Sequence, residues 1–324
     1  MSAHSVAHPP APRALLARAW AISPALTTVT ALMLPMALVA GVGLLLDPEV
    51  SSGAPAWLKP LKFAISNAVY GATLIWLLTF VEGRPRLVAT VAGVTAFGLG
   101  VEMLLIAGAA ALGTTSHFNV STPAQTLVWA TMGTLIVAVW LMNLVAAVLL
   151  LRQRLPHPAL AWGLRLGLLV SFVGMAVAFL MTSPSSAQLA AAESGRALPT
   201  VGAHSVADGG PGLPLVGWST IGGDLRAPHF IGLHGLQVLP LLGWLLTLSA
   251  APWLRAAHRA GLVGIGGLLY LGLVAILTWQ ALRGQPVIAP DALTLAALAG
   301  LVLVAAVLAL ALVGHARRSR RSGA

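Results

Sequence analysis

Residues 292–314 read ALTLAALAGLVLVAAVLALALVG, an unbroken apolar run without a charged side chain. An α-helix rises about 1.5 Å per residue, so about 20 apolar residues cross the hydrocarbon core of a bilayer. This run is long enough to do so. It predicts a transmembrane helix, and the fold follows from how often such runs recur along the chain.

Runs of similar length and apolarity recur along the rest of the chain. They are Pro24–Leu46, Leu61–Val81, Leu87–Leu112, Ala124–Leu151, Ala159–Met181, Pro228–Ser249 and Ala260–Leu282. Short polar segments separate them, with Pro, Gly and Asp at many of the turns. We therefore predict an all-α fold, a polytopic transmembrane helical bundle of about eight spans with the lipid bilayer as its surroundings.

The composition agrees with a membrane protein. Of 324 residues, 18 are Lys or Arg and 8 are Asp or Glu, and the mean hydropathy is +0.91. Such a chain has too few charges to cover the surface of a soluble domain. It has no cysteine. Disulfides, iron–sulfur clusters and thiol nucleophiles are excluded, which leaves His, Asp and Glu as the main candidate ligands.

The formal net charge of +10 comes mainly from arginines placed between alternate apolar runs. Those in one set of connections and in the tails are Arg13, Arg18, Arg84, Arg86, Arg152, Arg154, Arg255, Arg259, Arg317, Arg318, Arg320 and Arg321. The positive-inside rule then predicts that both termini are cytoplasmic, in a bacterial-type inner (plasma) membrane. Basic charge here encodes orientation, and we expect no nucleic acid partner.

The same reading divides the chain into three parts. Residues 1–22 form a cytoplasmic N-terminal tail, residues 23–314 a single transmembrane bundle, and residues 315–324 a basic cytoplasmic tail. The bundle carries a long external loop at 183–227, rich in Gly, Pro, Ser and Ala. Long loops without a periodic pattern are usually functional or disordered. This one is expected to be a flexible lid or disordered.

Residues 224–237, DLRAPHFIGLHGLQ, concentrate polar groups where an apolar run begins. Pro228 suits the first turn of a helix. At about 100° per residue, His229, His234 and Gln237 fall on one side of that helix. Unpaired polar groups are costly against lipid, so this side is expected to face the bundle interior, with Arg226 at its entrance. Glycines on this helix, Gly232 and Gly235, allow a neighbouring helix to approach closely.

Residues 57–70, WLKPLKFAISNAVY, repeat this arrangement with Lys59, Lys62 and Asn67. Every other basic residue of the chain is arginine. One interpretation is that both lysines snorkel to the lipid headgroups. The other is that two compact cations bind a carboxylate, a phosphate or the propionates of a haem.

Two further candidates lie near the same predicted external surface. His117 is in the connection GTTSHFNVSTP, which also reads as an ordinary turn, and Glu102 is the one acid deep inside a span. A carboxyl group in the membrane needs a partner, a proton or a cation. Glu102 is therefore either catalytic or a protonated group bonded to a neighbouring helix. Asn143 and Ser171 are interpreted as hydrogen-bonding groups between helices.

The favoured function is an outward-facing redox site with a bound haem b or a transition metal ion. His117, His229 and His234 would be its metal ligands, because neutral imidazole suits iron, copper and zinc. Cofactor binding would use the cations and amides of the same region, Lys59, Lys62, Arg226, Asn67 and Gln237. Glu102 would be the catalytic residue, and a quinone or another small molecule the partner.

Three alternatives remain open. The first is a transporter or sensor of a small anionic or amphipathic solute, which fits external cations, an intramembrane Glu and a mobile loop. The second is a zinc-dependent intramembrane hydrolase with Glu102 as general base, although no H-E-x-x-H motif occurs. The third is a scaffold whose polar stripes only join helices.

Overall fold

The computed structural model of the chain describes residues 12–51, 53–206 and 210–321. Apart from one short hairpin, the regular elements of that part of the chain are all helices. The elements are α1 (Pro12–Ile22), α2 (Pro24–Leu46), β1 (Val50–Ser51), β2 (Ala54–Pro55), α3 (Leu58–Leu78), α4 (Pro85–Ala111), α5 (Pro123–Leu151), α6 (Pro158–Thr182), α7 (Ser186–Glu193), α8 (Arg226–Thr247), α9 (Ala256–Leu282) and α10 (Ala292–Arg321). Strands β1 and β2 pair antiparallel, with Val50 opposite Pro55.

Among the described residues, 8 helices are long and apolar enough to cross a membrane. They are α2 to α6 and α8 to α10, so the prediction of a multi-pass helical bundle is confirmed. Two helices, α1 and α7, are too short to span. The segment just before the first span is itself helical and packs against α2 and α3. The last helix continues to Arg321, beyond the end of the predicted apolar run at Gly314.

Several helices start at a proline that follows a polar cap. Proline suits the first helical position because the amide it lacks would have no partner there. Before α2, the Ser23 hydroxyl accepts a hydrogen bond from the Leu26 amide. Before α5, the Thr122 hydroxyl accepts one from the Gln125 amide. The sequence therefore specifies where these spans begin, independently of their hydrophobicity.

The closest helix pair is α6 with α8, whose backbones touch along most of their length. A Cβ added at Gly232 would lie 2.5 Å from the Cα of Gly174, and one at Gly167 would lie 2.9 Å from the Gly235 carbonyl oxygen. Nearer the other end, a Cβ at Gly243 would lie 2.6 Å from the Ala159 carbonyl oxygen. The predicted close approach at Gly232 and Gly235 is confirmed, and its partner is α6.

The spans form two groups. Helices α2 to α5 pack together as the first group, and α6, α8, α9 and α10 as the second, with α5 against α6 between them. The N-termini of α3, α5 and α8 lie at one end of the bundle, which we call the polar end. The opposite end, where Arg165 and Arg259 donate to the backbone carbonyls of Gln153 and Ser249, is the arginine end.

The buried apolar side chains of the described residues form three clusters. One cluster, the joint core, contains residues of both helix groups, among them Leu26, Leu74, Leu77, Leu78, Val91, Ala146, Leu150, Leu164, Leu168 and Leu236. A second cluster belongs to the first group (Met33, Ala64, Met103, Ile106, Met132). The third runs along the second group and includes Phe118 of the turn between α4 and α5, with Trp129 of α5 packed against it (Phe118, Val170, Val177, Met181, Leu225, Leu239, Val274, Ala281).

The long loop after α6 folds over the polar end in its described parts. Its amides and carbonyls pair with the turn between α4 and α5: the Val120 amide donates to the Pro199 carbonyl, and the Val201 amide to the Phe118 carbonyl. Helix α7 begins with a capping box formed by Ser185 and Gln188. Disorder was one expectation for this loop, but the described residues form a hydrogen-bonded cover. The hydrogen bonds between this loop and the turn before α5 are made by backbone groups, so the amino-acid composition of the loop could not predict them.

The contact between α6 and α8 can be tested with alanine. Gly174→Ala and Gly232→Ala insert a methyl group where backbone already lies within 2.6 Å. We expect each to destabilise the protein by about 1–3 kcal/mol, as overpacking in a dense contact usually does. The measurement is the thermal unfolding midpoint of the purified protein in detergent.

Helical glycines with no neighbour within 4 Å provide the control, and Gly108→Ala in α4 and Gly264→Ala in α9 are suitable. Alanine is the better helix former, so these two should be neutral or stabilising by up to about 1 kcal/mol. Equal midpoints for both pairs of variants would show that the contact is unimportant.

Candidate functional site

Ionisable side chains from five separate segments meet at the polar end. The polar cluster, as we call it, consists of Lys59, Lys62, Glu102, His117, His204, Asp224, Arg226 and His229. They come from the start of α3, the second half of α4, the turn before α5, the long loop and the start of α8.

His117 and Lys59 join the turn before α5 to the start of α3. The Lys59 ammonium lies 3.0 Å from the His117 Nδ1, and the Ser116 hydroxyl lies at the same distance. An ammonium group can only donate, so Nδ1 accepts and the ring proton is on Nε2. The next residue, Phe118, is buried with φ at 62°. This left-handed backbone turns the chain so that the rings of Phe118 and His204 lie 5.1 Å apart.

The surroundings of His117 favour its neutral form. Burial, and then the positive charge of Lys59 and the neighbouring His204, lower the pKa of His117 well below its ordinary value of 6.5. A neutral ring that accepts a hydrogen bond from Lys59 through Nδ1 presents an N–H donor at Nε2. The polar cluster therefore contains a neutral donor beside a cation.

Asp224 ties the long loop to the start of α8. Its carboxylate is 2% exposed, pairs with the Arg226 guanidinium at 2.6 Å and accepts the Ser219 amide at 2.8 Å. Arg226 also donates to the Gly217 carbonyl at 2.7 Å. A buried carboxylate needs this number of partners to offset its loss of hydration.

Lys62 approaches the same loop from α3. Its ammonium donates to the Val216 carbonyl at 3.2 Å, and it is within electrostatic reach of both Arg226 and Asp224. Segment 213–219 is thus held by cations from two helices that belong to different helix groups. The loop closes over the gap between them.

His229 lies where α6 and α8 are in closest contact. Its Nδ1 donates to the Gly174 carbonyl at 2.8 Å, which leaves the Nε2 lone pair available. His204 is electrostatically coupled to both His229 and His117. His204 could not be selected from the sequence, because it lies in an aperiodic loop. The Leu225 amide donates to the His204 carbonyl at 3.0 Å, and this bond holds His204 beside the start of α8.

Glu102 reaches the cluster from inside the bundle. Its side chain is 4% exposed, and its carboxyl group is within electrostatic reach of Lys59. Glu102 faces the bundle interior, because it lies on the same face of α4 as the buried residues Thr95 and Ile106. The expectation that Glu102 would need a charged partner therefore has a specific candidate in Lys59.

The remaining predicted residues lie apart from the cluster. His234 is exposed, and its Nδ1 donates to the Gln237 side chain at 3.3 Å. Gln237 in turn donates to the Thr73 hydroxyl at 3.2 Å, a polar link between α8 and α3. Asn67 is buried, and its Nδ2 finds no hydrogen-bond partner in the described part of the chain.

The three predicted metal ligands do not form a ligand set. Within residues 12–51, 53–206 and 210–321, no three or more His, Asp or Glu side chains are grouped so that they could hold a metal ion. Zinc at a catalytic site takes three protein ligands. What the polar cluster offers instead is cations and imidazole nitrogens in a half-buried setting.

Comparison with known proteins adds no relative. No protein-family model matches the chain, nor does any curated protein or solved structure.

The neutral state of His117 predicts how stability changes with pH. The unfolded chain takes up this proton near 6.5 and the folded chain only at lower pH, so the unfolded state binds more protons in between. Stability should be complete above about pH 6.5 and fall as the pH is lowered below it. His117→Gln keeps an acceptor for Lys59 but cannot be protonated, so it should lose less stability on acidification.

The measurement is the unfolding midpoint across the range from about pH 7.5 to pH 5. His315→Gln, at the arginine end, serves as control and should follow the unmodified protein. An identical pH profile for His117→Gln and the unmodified protein would contradict the assignment.

Proposed function

We propose that this multi-pass membrane protein binds a small anionic or amphipathic molecule at its polar cluster, as a transporter or a sensor. The observation that carries the proposal is the charge of the cluster. Three cations, Lys59, Lys62 and Arg226, meet two acids, Asp224 and Glu102, and Asp224 is already paired with Arg226. An anion would complete this arrangement.

The chemistry of the donors suits a carboxylate or a phosphate. Lysine ammonium groups are compact point charges with three donors each, and the His117 Nε2–H adds a neutral donor. The two lysines sit at the start of one helix, and segment 213–219 lies over them. A ligand held there would contact both helix groups. Such contacts are required if binding is to change how the two groups pack against each other.

Orientation belongs to the same proposal. Arginines in the connections of the arginine end support a cytoplasmic location of that end in a bacterial-type plasma membrane. The polar cluster would then face the extracytoplasmic side.

Thermal stabilisation by defined anions tests binding. Inorganic phosphate and octanoate, each compared with chloride at equal ionic strength, should raise the unfolding midpoint of the purified protein. A ligand at 100 times its dissociation constant adds about 2.7 kcal/mol of stability. Lys62→Gln should reduce or abolish the shift, because it removes one of the two ammonium groups.

The matched control is Arg196→Gln, which removes a cation of the same long loop that hydrogen bonds only locally, to Ser194. It should retain the full shift. If no anion stabilises the protein, or if Lys62→Gln responds like Arg196→Gln, anion binding at the polar cluster is refuted.

A haem or metal centre is the second candidate, favoured by one observation. His229 directs Nδ1 to the Gly174 carbonyl, as metal-bound histidines commonly do, and leaves Nε2 available. The described residues offer no second and third ligand beside it, so the site fits a metal poorly and a zinc hydrolase least. A Soret band or stoichiometric metal that is lost in His229→Ala and kept in His315→Ala would reverse this order.

A further inference from the structure

The start of α9 and the end of α10 bring a second group of cations together at the arginine end of the bundle. This group, which we call the basic junction, consists of Arg255, His258, His315, Arg317 and Arg318, with Trp253 beside them. The two helices pack against each other and are joined by one connection at the polar end, so α9 starts where α10 ends. The anion site proposed at the polar cluster uses none of these residues.

Aromatic contacts hold the two helix ends side by side. The rings of His258 and His315 lie edge to face, with their centroids 5.7 Å apart. The guanidinium carbon of Arg317 lies 5.0 Å from the centroid of the Trp253 ring. Ala316 is 1% exposed, so the end of α10 packs against the protein and does not project from it. The cations of both helices therefore share one surface.

The basic junction has no acid in either of the segments that form it. The sequence contains no Asp or Glu between Asp224 and Asp291, and none after Asp291. Arg255 and His258 also lie at the N-terminus of α9, where the partial positive charge of a helix favours acids over cations. The stability of α9 therefore does not explain these cations. An anion from outside the chain would compensate their charge.

The basic junction lies at the level of the lipid headgroups. From Ala292 to Arg317, α10 rises about 38 Å, which exceeds the thickness of the hydrocarbon core, about 30 Å. Arg318 bends back toward the membrane, since a Cβ added at Gly314 would lie 3.9 Å from its Nη1. Tryptophan is enriched at the same level of membrane proteins, as Trp253 is here. The guanidinium groups thus lie where the phosphates of a bilayer are found.

Apolar side chains continue from the basic junction toward the middle of the membrane. Val307, Leu308 and Leu310 on α10 and Leu268 on α9 are exposed. Helix α10 packs mainly against α9, so most of its surface is left to lipid. A phospholipid at this position would place its phosphate on the cations and its acyl chains on these side chains.

We propose that the basic junction binds the phosphate group of an anionic phospholipid whose acyl chains lie along the outer faces of α9 and α10. Arg255, Arg317 and Arg318 are exposed and carry the charge of the site. A guanidinium group can donate two parallel hydrogen bonds to a phosphate. Basic residues that follow a span at the membrane surface attract anionic headgroups. The bound lipid contacts both helices and so fastens α10 to the rest of the bundle.

Lipid titration of the purified full-length protein in detergent tests this proposal. Dioleoylphosphatidylglycerol should bind and raise the unfolding midpoint, whereas dioleoylphosphatidylcholine, which has the same chains and no net charge, should not. Native mass spectrometry gives the dissociation constant of the first bound lipid. The double variant Arg255→Gln with Arg317→Gln should weaken binding of the anionic lipid roughly 20-fold, because each arginine near the headgroups contributes about fivefold in affinity.

The matched control is the double variant Arg84→Gln with Arg86→Gln, which removes two exposed arginines from the connection between α3 and α4 at the same end. It changes the net charge by the same amount and should retain the affinity of the unmodified protein. Equal weakening in both double variants would show that the lipid responds only to the total charge of this end, and would overturn the site. Equal binding of the two lipids would overturn it as well.

Inorganic phosphate distinguishes a lipid from a soluble anion as the ligand of the basic junction. A phosphate-induced midpoint shift that disappears in Arg255→Gln with Arg317→Gln would assign the site to a soluble phosphate and overturn the lipid proposal. Lys62→Gln should bind dioleoylphosphatidylglycerol as the unmodified protein does. The lipid site and the anion site at the polar cluster can therefore fail separately.

Discussion

The contact between the backbones of α6 and α8 is the constraint on which the rest of the structure depends. Lipid is as apolar as leucine, so helices in a membrane associate through close packing and hydrogen bonds more than through hydrophobic burial. Gly174 and Gly232 bring the two helices together where His229 reaches the Gly174 carbonyl. The same contact fixes the start of α8, and with it Arg226 and Asp224. The position of the polar cluster thus follows from glycines that carry no chemistry.

Much of this architecture could be predicted from the sequence. Apolar runs of sufficient length predicted the eight helices, because a span must satisfy its backbone internally and cover itself with apolar side chains. The glycines of α8 predicted a close neighbour. The identity of that neighbour, α6, could not be predicted, because small residues occur on most spans and hydropathy does not specify which helices pair. The helical starts at Pro24 and Pro123 were visible as proline after a capping residue.

Only part of the candidate site could be predicted from the sequence, because some of its residues lie on regular helices and others in an irregular loop. Lys59, His117 and Glu102 could be assigned to one end of the bundle from orientation alone. The structure adds the contact between Lys59 and His117 and places Glu102 within electrostatic reach of Lys59. His204 could not, since its place depends on backbone hydrogen bonds of an irregular loop. Helical angles put His229 and His234 in one sector about 140° wide, which is too broad to decide whether the two rings have the same surroundings. In the folded chain one ring binds α6 and the other is exposed.

The cluster that contains Phe118 has a mechanical consequence. It joins the turn between α4 and α5 to α6, α8 and α9, and Trp129 of α5 packs against it. The joint core connects the same two helix groups nearer the arginine end. Because a densely packed interior resists deformation, apolar contacts at both ends of the bundle oppose rotation of one group against the other.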